Sequence, residues 1–82
     1  MKTLVIIPAY NEDKTIKKVI IEVQEYTRDI LVINDGSIDN TKEILSTLAV
    51  NVINNKQNLG KGISLNLGFK YAIKQKYDSV II

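Results

Sequence analysis

The stretch Ile30–Thr41, ILVINDGSIDNT, decides the fold because its character changes in the middle. Its first four residues form a continuous apolar run, which is typical of a strand buried on both faces of a parallel sheet. The polar residues that follow suit a loop, and Asp39 is a natural N-cap for a helix after it. The stretch therefore predicts a strand that delivers polar side chains to one edge of a sheet.

The same alternation of strand and helix continues along the chain. Further strands are predicted at Leu4–Ile7, Val50–Ile53 and Val80–Ile82, and Pro8 is expected to end the first of them. Between the strands, apolar residues recur at helical spacing. The residues expected to face the core are Ile16, Val19, Ile20 and Val23, then Ile44, Leu45 and Leu48, then Leu65, Phe69, Ala72 and Ile73 in a helix from about Lys61 to Gln75.

This alternation predicts an α/β protein with a Rossmann-like, three-layer arrangement. Four strands joined by right-handed crossovers form a mostly parallel sheet in the order 3-2-1-4, with two helices on one face and the third on the other. A ligand crevice is then expected at the carboxyl ends of strands 1 and 2, beside the switch in strand order. Residues 1–82 make one domain.

Composition excludes several classes of function. The chain has no cysteine and no histidine, so disulfides, thiolate metal sites and a histidine base are excluded. A net charge of +2 gives no indication of nucleic-acid binding. No apolar run approaches the roughly 20 residues of a membrane span. Any base or metal ligand must be a carboxylate.

The second strand is followed by Asn34, Asp35, Gly36 and Ser37, and Asp35 is the candidate residue among them. With Gly36 letting the backbone turn, its carboxylate can accept a hydrogen bond from a ligand N–H. The imide N–H of uracil and the N1–H of guanine are such donors, whereas the adenine ring offers none there. The alternative is that Asp35 closes a turn or caps the second helix.

The loop after the first strand carries a second set of candidates. Ala9 leaves space beside the backbone for a base or ribose, Tyr10 offers a stacking face, and Glu12 can accept from ribose hydroxyls. The alternative is a plain strand-to-helix turn with Asn11 or Asp13 as the cap and Glu12 favoured by the helix dipole.

After the third strand, Gly60 and Gly62 flank Lys61, and Asn66 follows one helical turn later. Backbone N–H groups and a lysine at a helix start can receive a phosphate. The alternative is a tight loop with a solvated lysine. The pattern is neither a dinucleotide fingerprint, which belongs after strand 1, nor a Walker A loop.

Four segments in this order resemble the opening of a family 2 glycosyltransferase with the GT-A fold: VIIPAYNE (5–12), ILVINDGSIDNT (30–41), NLGKGISLNLGFKYA (58–72) and DSVII (78–82). The nearest branch by resemblance is that of dolichyl-phosphate mannosyl- and glucosyltransferases. The resemblance implies transfer of a sugar from a UDP- or GDP-sugar to an acceptor such as a lipid phosphate, on the cytoplasmic side. It implies nucleotide-binding roles for Pro8, Ala9, Tyr10, Glu12, Asp35, Gly36, Lys61 and Asn66, although Asn34 stands where many relatives carry Asp.

In such enzymes the fourth strand leads into an Asp-x-Asp signature that holds Mg²⁺ or Mn²⁺ against the diphosphate. The chain ends where that signature is expected, so we expect a truncated nucleotide-binding part that lacks catalytic residues, a metal site and the acceptor half. We expect it to bind a nucleoside-diphosphate sugar weakly and to be inactive alone.

Two other interpretations stay open. A receiver-like signalling domain also places Asp at strand tips, but Asp13 lies too far into the first helix and a fifth strand is missing. A self-associating structural module without a ligand is the other. An apolar strand at Asp78–Ile82 is a template for pairing, so a homodimer through that edge is expected.

Overall fold

A computed structural model describes all of residues 1–82. Four strands alternate with three helices along the chain. Their bounds are β1 Thr3–Ala9, α1 Ile16–Gln24, β2 Ile30–Asp35, α2 Thr41–Ser46, β3 Asn51–Asn55, α3 Lys61–Lys74 and β4 Ser79–Ile81.

The strands form one sheet in the order β3-β2-β1-β4, and every neighbouring pair is parallel. Ala9 is paired with Asn34, and Asp35 with Asn55, so the carboxyl ends of β1, β2 and β3 meet at one edge. The predicted α/β class and strand order are confirmed. The register follows from burial, because a slip by one residue would move every side chain of a strand to the opposite face.

Each face of the sheet has its own apolar core, as two-sided burial of β2 requires. On one face, Ile30 and Val32 pack with Ile16 and Ile20 of α1 and Leu45 of α2. The other face is covered by α3, and its buried residues are Leu4, Ile6, Leu31, Ile33 and Ala72. The predicted distribution of the helices, two on one face and one on the other, is therefore confirmed.

The sequence predicted that Pro8 ends β1, and this prediction is wrong, because the strand continues to Ala9. The N–H of Val5 donates to Asp29, next to β2, so residues at even positions of β1 point their backbone groups toward β4. The ladder with β4 ends at the pair Val5–Ile81. The N–H that proline lacks would thus face a side where no strand is paired, and no ladder bond is lost.

Helix α3 lies closer to the sheet than its apolar pattern predicts. Its buried residues are Ser64, Gly68 and Ala72, whereas Ile73, which we expected to be buried, is 77% exposed. A Cβ added to Gly68 would lie 2.9 Å from Cδ1 of Ile6. The small residues let the helix backbone approach β1. Because the helix turns these residues toward the sheet, Ile73 points away from it.

The two outer edges of the sheet differ in polarity. β3 presents exposed Asn51 and Asn54, whereas β4 ends at Ile81, which is 59% exposed, and is followed by Ile82, which is 60% exposed. A groove of about 570 Å³ runs between α1 and β4, and Tyr26 and Ile81 both line it. The β4 edge is thus apolar and uncovered.

None of the three helices combines the length and hydropathy that crossing a bilayer requires.

Candidate functional site

A cleft of about 320 Å³ lies at the carboxyl ends of β1 and β2, against the start of α3. Tyr10, just after β1, and Asp35, the last residue of β2, both line it. The cleft lies where a switch in strand order favours ligand binding. The residues that line it are Pro8, Ala9, Tyr10, Asp35, Asn58, Gly60, Lys61 and Ser64.

Asp35 is 5% exposed and is held by groups from the end of β3 and from the loop after it. Its Oδ1 accepts hydrogen bonds from the Leu59 N–H at 2.8 Å and from Asn55 Nδ2 at 3.0 Å, and its Oδ2 accepts from the Gly60 N–H at 3.0 Å. The carboxylate therefore neither closes a turn in its own loop nor caps α2. It fastens the β3–α3 loop to the tip of β2.

The pKa of Asp35 is lowered from its ordinary value of 3.8. Burial acts in the opposite direction and raises it, but the N–H of Leu59, the amide of Asn55 and the N–H of Gly60, with a further contribution from the Ser64 hydroxyl, together outweigh burial. Hydrogen bonds donated to the charged form stabilise that form. At neutral pH the cleft thus contains an ionised, acceptor-only carboxylate.

Gly36 does not line the cleft, but it allows the two loops beside the cleft to pack closely. Its φ of +71° lies in the left-handed region that glycine adopts at low cost. A Cβ there would overlap the backbone of Gln57 and Asn58. Glycine is therefore required at this position for two reasons: the turn itself, and the close approach between the loop after β2 and the loop after β3.

The start of α3 forms another wall of the cleft. Gly60, with a φ of +97°, occupies the N-cap, and no side chain caps the first turn. Lys61, the first helical residue, is exposed and lines the cleft. Uncapped N–H groups, the positive end of the helix dipole and a lysine together favour an anion at this wall.

Three residues expected in the site do not line the cleft: Glu12, Gly36 and Asn66. The Glu12 Oε2 accepts a hydrogen bond from the Thr15 hydroxyl at 3.2 Å, and the Glu12 N–H donates to Thr41 Oγ1 at 3.0 Å. Asn66 lies on α3, exposed, beyond the first turn.

The expected caps of α1 instead connect its loop to the loop after β2. Asn11, with a φ of 53°, accepts from the Ile38 N–H through its Oδ1, and its own N–H donates to Ser37 Oγ, both at 2.9 Å. Asp13 connects to the same loop, because its N–H donates to Asp39 Oδ2 at 3.2 Å and its Oδ2 accepts from the Asn40 N–H at 3.3 Å. The α1 helix has no side-chain cap, so both predicted caps are wrong. For α2 the N-cap is Asn40, but Asp39 Oδ1 still accepts from the Thr41 N–H at 2.9 Å.

Sequence reasoning missed Asn58 and Ser64, which line the cleft, and Asn55, which bonds to Asp35. A signal existed for Asn55, since an amide side chain at the end of a strand stands out from an apolar run. For Ser64 the only signal was a small polar residue on the buried side of a helix.

The side chains of the cleft do not form a donor set for a divalent metal. Nowhere in the chain do three or more carboxylates come together in a group that could hold a metal ion. Asp35 is the single carboxylate that lines the cleft, and three of its bonds are already made within the chain. Hard divalent ions require several oxygen ligands.

Comparison with known proteins gives a match to one family along nearly the whole chain. The sequence profile described as "Glycosyl transferase family 2" matches residues 4–81.

Individual relatives agree with that match. An uncharacterised protein of Methanocaldococcus jannaschii is 38% identical over 95% of this chain and 37% of its own length. A dolichyl-phosphate beta-glucosyltransferase of Trichomonas vaginalis is 35% identical over 80% of this chain and 24% of its own length. A UDP-N-acetylglucosamine–dolichyl-phosphate N-acetylglucosaminyltransferase of Methanococcus voltae is 50% identical over 52% of this chain and 18% of its own length. The chain thus spans less than two fifths of the length of each.

Proposed function

The chain belongs to glycosyl transferase family 2, close to its dolichyl-phosphate branch, and on that premise we propose that it binds the nucleotide of a UDP- or GDP-sugar. The sugar would pass to an acceptor such as a lipid phosphate, a proposal suggested by the names of the dolichyl-phosphate relatives. The observation that supports it most is the convergence of Tyr10 and Asp35 on one cleft.

In this proposal Asp35 reads the base. Its Oδ2 accepts a single hydrogen bond from the backbone, and its second lone pair is the acceptor that we propose for the imide N–H of the base. Because the carboxylate is ionised, it accepts and cannot donate, so a base edge that presents a donor is favoured. Adenine, without a ring N–H in that position, would leave the buried acceptor unpaired, which costs binding free energy.

In this proposal Tyr10 also contacts the base, and Lys61 contacts the diphosphate. The Tyr10 ring is 44% exposed beside the cleft and can stack on a base. Lys61 and the uncapped first turn of α3 are positioned for the diphosphate. Glu12 and Asn66 lie outside the cleft, so this proposal assigns them no contact with the nucleotide.

Catalysis is a property that we assign to a longer protein rather than to these 82 residues. Relatives of this branch are several times longer than the stretch that matches. Mg²⁺ or Mn²⁺, which the resemblance implies for sugar transfer, does not fit the donor set of this cleft, so no step is assigned to a metal here. We expect weak nucleotide binding and no sugar transfer from this chain by itself.

Calorimetric titration of the chain with UDP, GDP and ADP tests the proposal. UDP, GDP or both should bind more tightly than ADP, and Asp35→Ala should remove that preference. Asp39→Ala is the matched control, because it removes another hydrogen-bonded carboxylate that lies outside the cleft. Equal binding of all three nucleotides, or no binding, would overturn the proposal.

A specific observation also favours self-association, our second candidate. The outer edge of β4 is unpaired, and Tyr26, Ile81 and Ile82 leave apolar surface exposed beside it. We propose that two copies pair antiparallel through the β4 edge, around a twofold axis.

A further inference from the structure

Asn55 lies next to Asp35, the carboxylate that we propose recognises the base. It is the last residue of β3 and is paired in register with Asp35, so both side chains point to the face of the sheet that α3 covers. Asn55 does not line the cleft. Any influence it has on a ligand must therefore pass through the cleft residues to which it is bonded, Asp35 and Ser64.

The Asn55 amide makes two hydrogen bonds from one nitrogen. Nδ2 donates to Asp35 Oδ1 at 3.0 Å and to Ser64 Oγ at 3.3 Å. An ionised carboxylate has no proton to give, so the amide must present its nitrogen and not its oxygen to Asp35. One side chain thus joins the tips of β2 and β3 to the first turn of α3.

Two features follow from this arrangement. The amide directs Oδ1 toward β3, which leaves Oδ2 turned to the Gly60 side, at the wall of the cleft. It also donates to the charged form of Asp35, so the carboxylate remains an acceptor. Ser64, fully buried, fixes the amide from the other side.

We propose that Asn55 is a positioning residue for base selection, which holds Asp35 in the orientation and acceptor-only state that selects a base with an imide N–H. This inference rests on the proposed function. It predicts that a change at residue 55 alters which base is preferred, and not only how tightly nucleotides bind.

UDP and CDP are the probes that isolate this effect. They share ribose and diphosphate, but uracil presents an N–H at ring position 3 where cytosine presents an acceptor. A charge-assisted hydrogen bond to an N–H predicts that the unmodified chain prefers UDP by roughly tenfold or more. A residue that only supports the fold would weaken both nucleotides alike.

Asn55→Asp places a second carboxylate against Asp35, and two carboxylates at that distance hold a proton between them. The shared proton leaves less negative charge on Asp35, so its Oδ2 becomes a weaker acceptor and the UDP-to-CDP preference should fall. Asn54→Asp is the matched control. It adds the same charge one residue earlier, on the opposite face, where Asn54 Oδ1 accepts from Asn34 Nδ2 at 2.9 Å and a carboxylate can accept as well. It should retain the preference.

Asn55→Ala removes the donor without adding charge and serves if the aspartate variant does not fold; thermal unfolding of each variant shows which case applies. It should reduce the UDP preference by about threefold or more. If the variants at 55 weaken UDP and CDP by one common factor, Asn55 is a structural residue only and the inference is wrong. If the unmodified chain itself shows no preference for UDP over CDP, this inference is wrong, whereas the proposed function is overturned only by the titration with UDP, GDP and ADP.

Discussion

The Asp35 carboxylate and the Leu59 backbone N–H, separated by 24 positions in the sequence, are joined by a hydrogen bond of 2.8 Å. Through this bond and its neighbour to Gly60, the tip of β2 determines where α3 begins. The residue proposed to recognise the base therefore also fixes the position of the α3 start, the wall on which the diphosphate would rest. Loss of Asp35 should affect both nucleotide binding and folding.

Asp35→Ala should lower the free energy of unfolding by about 2–4 kcal/mol, because the N–H groups of Leu59 and Gly60 lose a charged acceptor in a largely buried place. Urea denaturation measures this loss. Asp78→Ala is a suitable comparison, since Asp78 is exposed and accepts from the Lys2 N–H at the far end of the sheet. Equal losses for the two variants would contradict the role given to Asp35.

Gly36→Ala should destabilise the chain by more than about 2 kcal/mol, because alanine is strained at a positive φ and its Cβ would overlap the Gln57 backbone. Gly62→Ala is the control. Nothing lies within 4 Å of a Cβ at that position, and alanine favours a helix, so stability should be unchanged or higher. A Gly36→Ala variant that unfolds at the wild-type temperature would show that the loops separate without cost.

Thr41→Val should cost about 1–3 kcal/mol, although the two side chains have nearly the same shape. The fully buried Thr41 hydroxyl accepts from the Glu12 N–H at 3.0 Å and donates to Asp39 Oδ1 at 2.6 Å, and valine leaves both partners unpaired. In Thr47→Val, an exposed hydroxyl bonded to the Ile44 carbonyl is lost, so the change in denaturation midpoint should be small. Similar midpoints for the two variants would contradict the connection between the two loops.

Stability should fall at alkaline pH because of Tyr77. Burial, together with the hydrogen bond and negative charge of Asp29, raises the pKa of Tyr77 from 10.0 to about 12. The folded state thus holds the phenol proton more tightly than the unfolded state does, so this contribution is complete below pH 10.0 and is lost as the pH rises toward about 12. Tyr77→Phe should flatten this alkaline decline in thermal unfolding, whereas Tyr26→Phe, which changes an exposed ring, should not.

At acid pH the dependence of stability on pH has the opposite sign, so stability falls as the pH is lowered. The pKa values of Asp35 and Asp39 are lowered from 3.8, for Asp39 because the hydroxyl and N–H of Thr41 outweigh the effect of burial. Their contribution is present above the unfolded value and is lost as the pH falls through 3.8 and below.

Self-association through β4 predicts that Ile81→Lys shifts the chain toward the monomer in sedimentation experiments, because a charged residue at an exposed edge opposes pairing. Ile38→Lys is the matched control: Ile38 is 87% exposed but lies in the loop after β2. A clean monomer of the unmodified chain at high concentration would refute the dimer, as would an equal effect of both substitutions.

Local pattern was sufficient to predict the sheet and the edge at which the cleft lies. Strand order and parallel pairing follow from alternation and handedness, and these alone bring Tyr10 and Asp35 to one edge. The Leu59 and Gly60 N–H groups that bond to Asp35 could not be predicted, because they lie 24 and 25 positions away and backbone groups leave no trace in the sequence.

The orientation of α3 about its own axis is a second feature that the sequence pattern did not predict. Its apolar residues predicted one buried side, but the small residues at intervals of four, Ser64, Gly68 and Ala72, determine which side approaches the sheet. Close backbone approach to Ile6 outweighed the burial of Ile73, which remains exposed. Periodicity indicates where apolar side chains recur, but not how near a helix can come.

The unlike outer edges of the sheet limit how large an assembly can become. A twofold junction uses the β4 edge of both copies and leaves a β3 edge at each end. There, exposed Asn51 and Asn54 offer little apolar surface to a third chain. Growth into a fibre would need both edges to be adhesive, so the series is expected to stop at two.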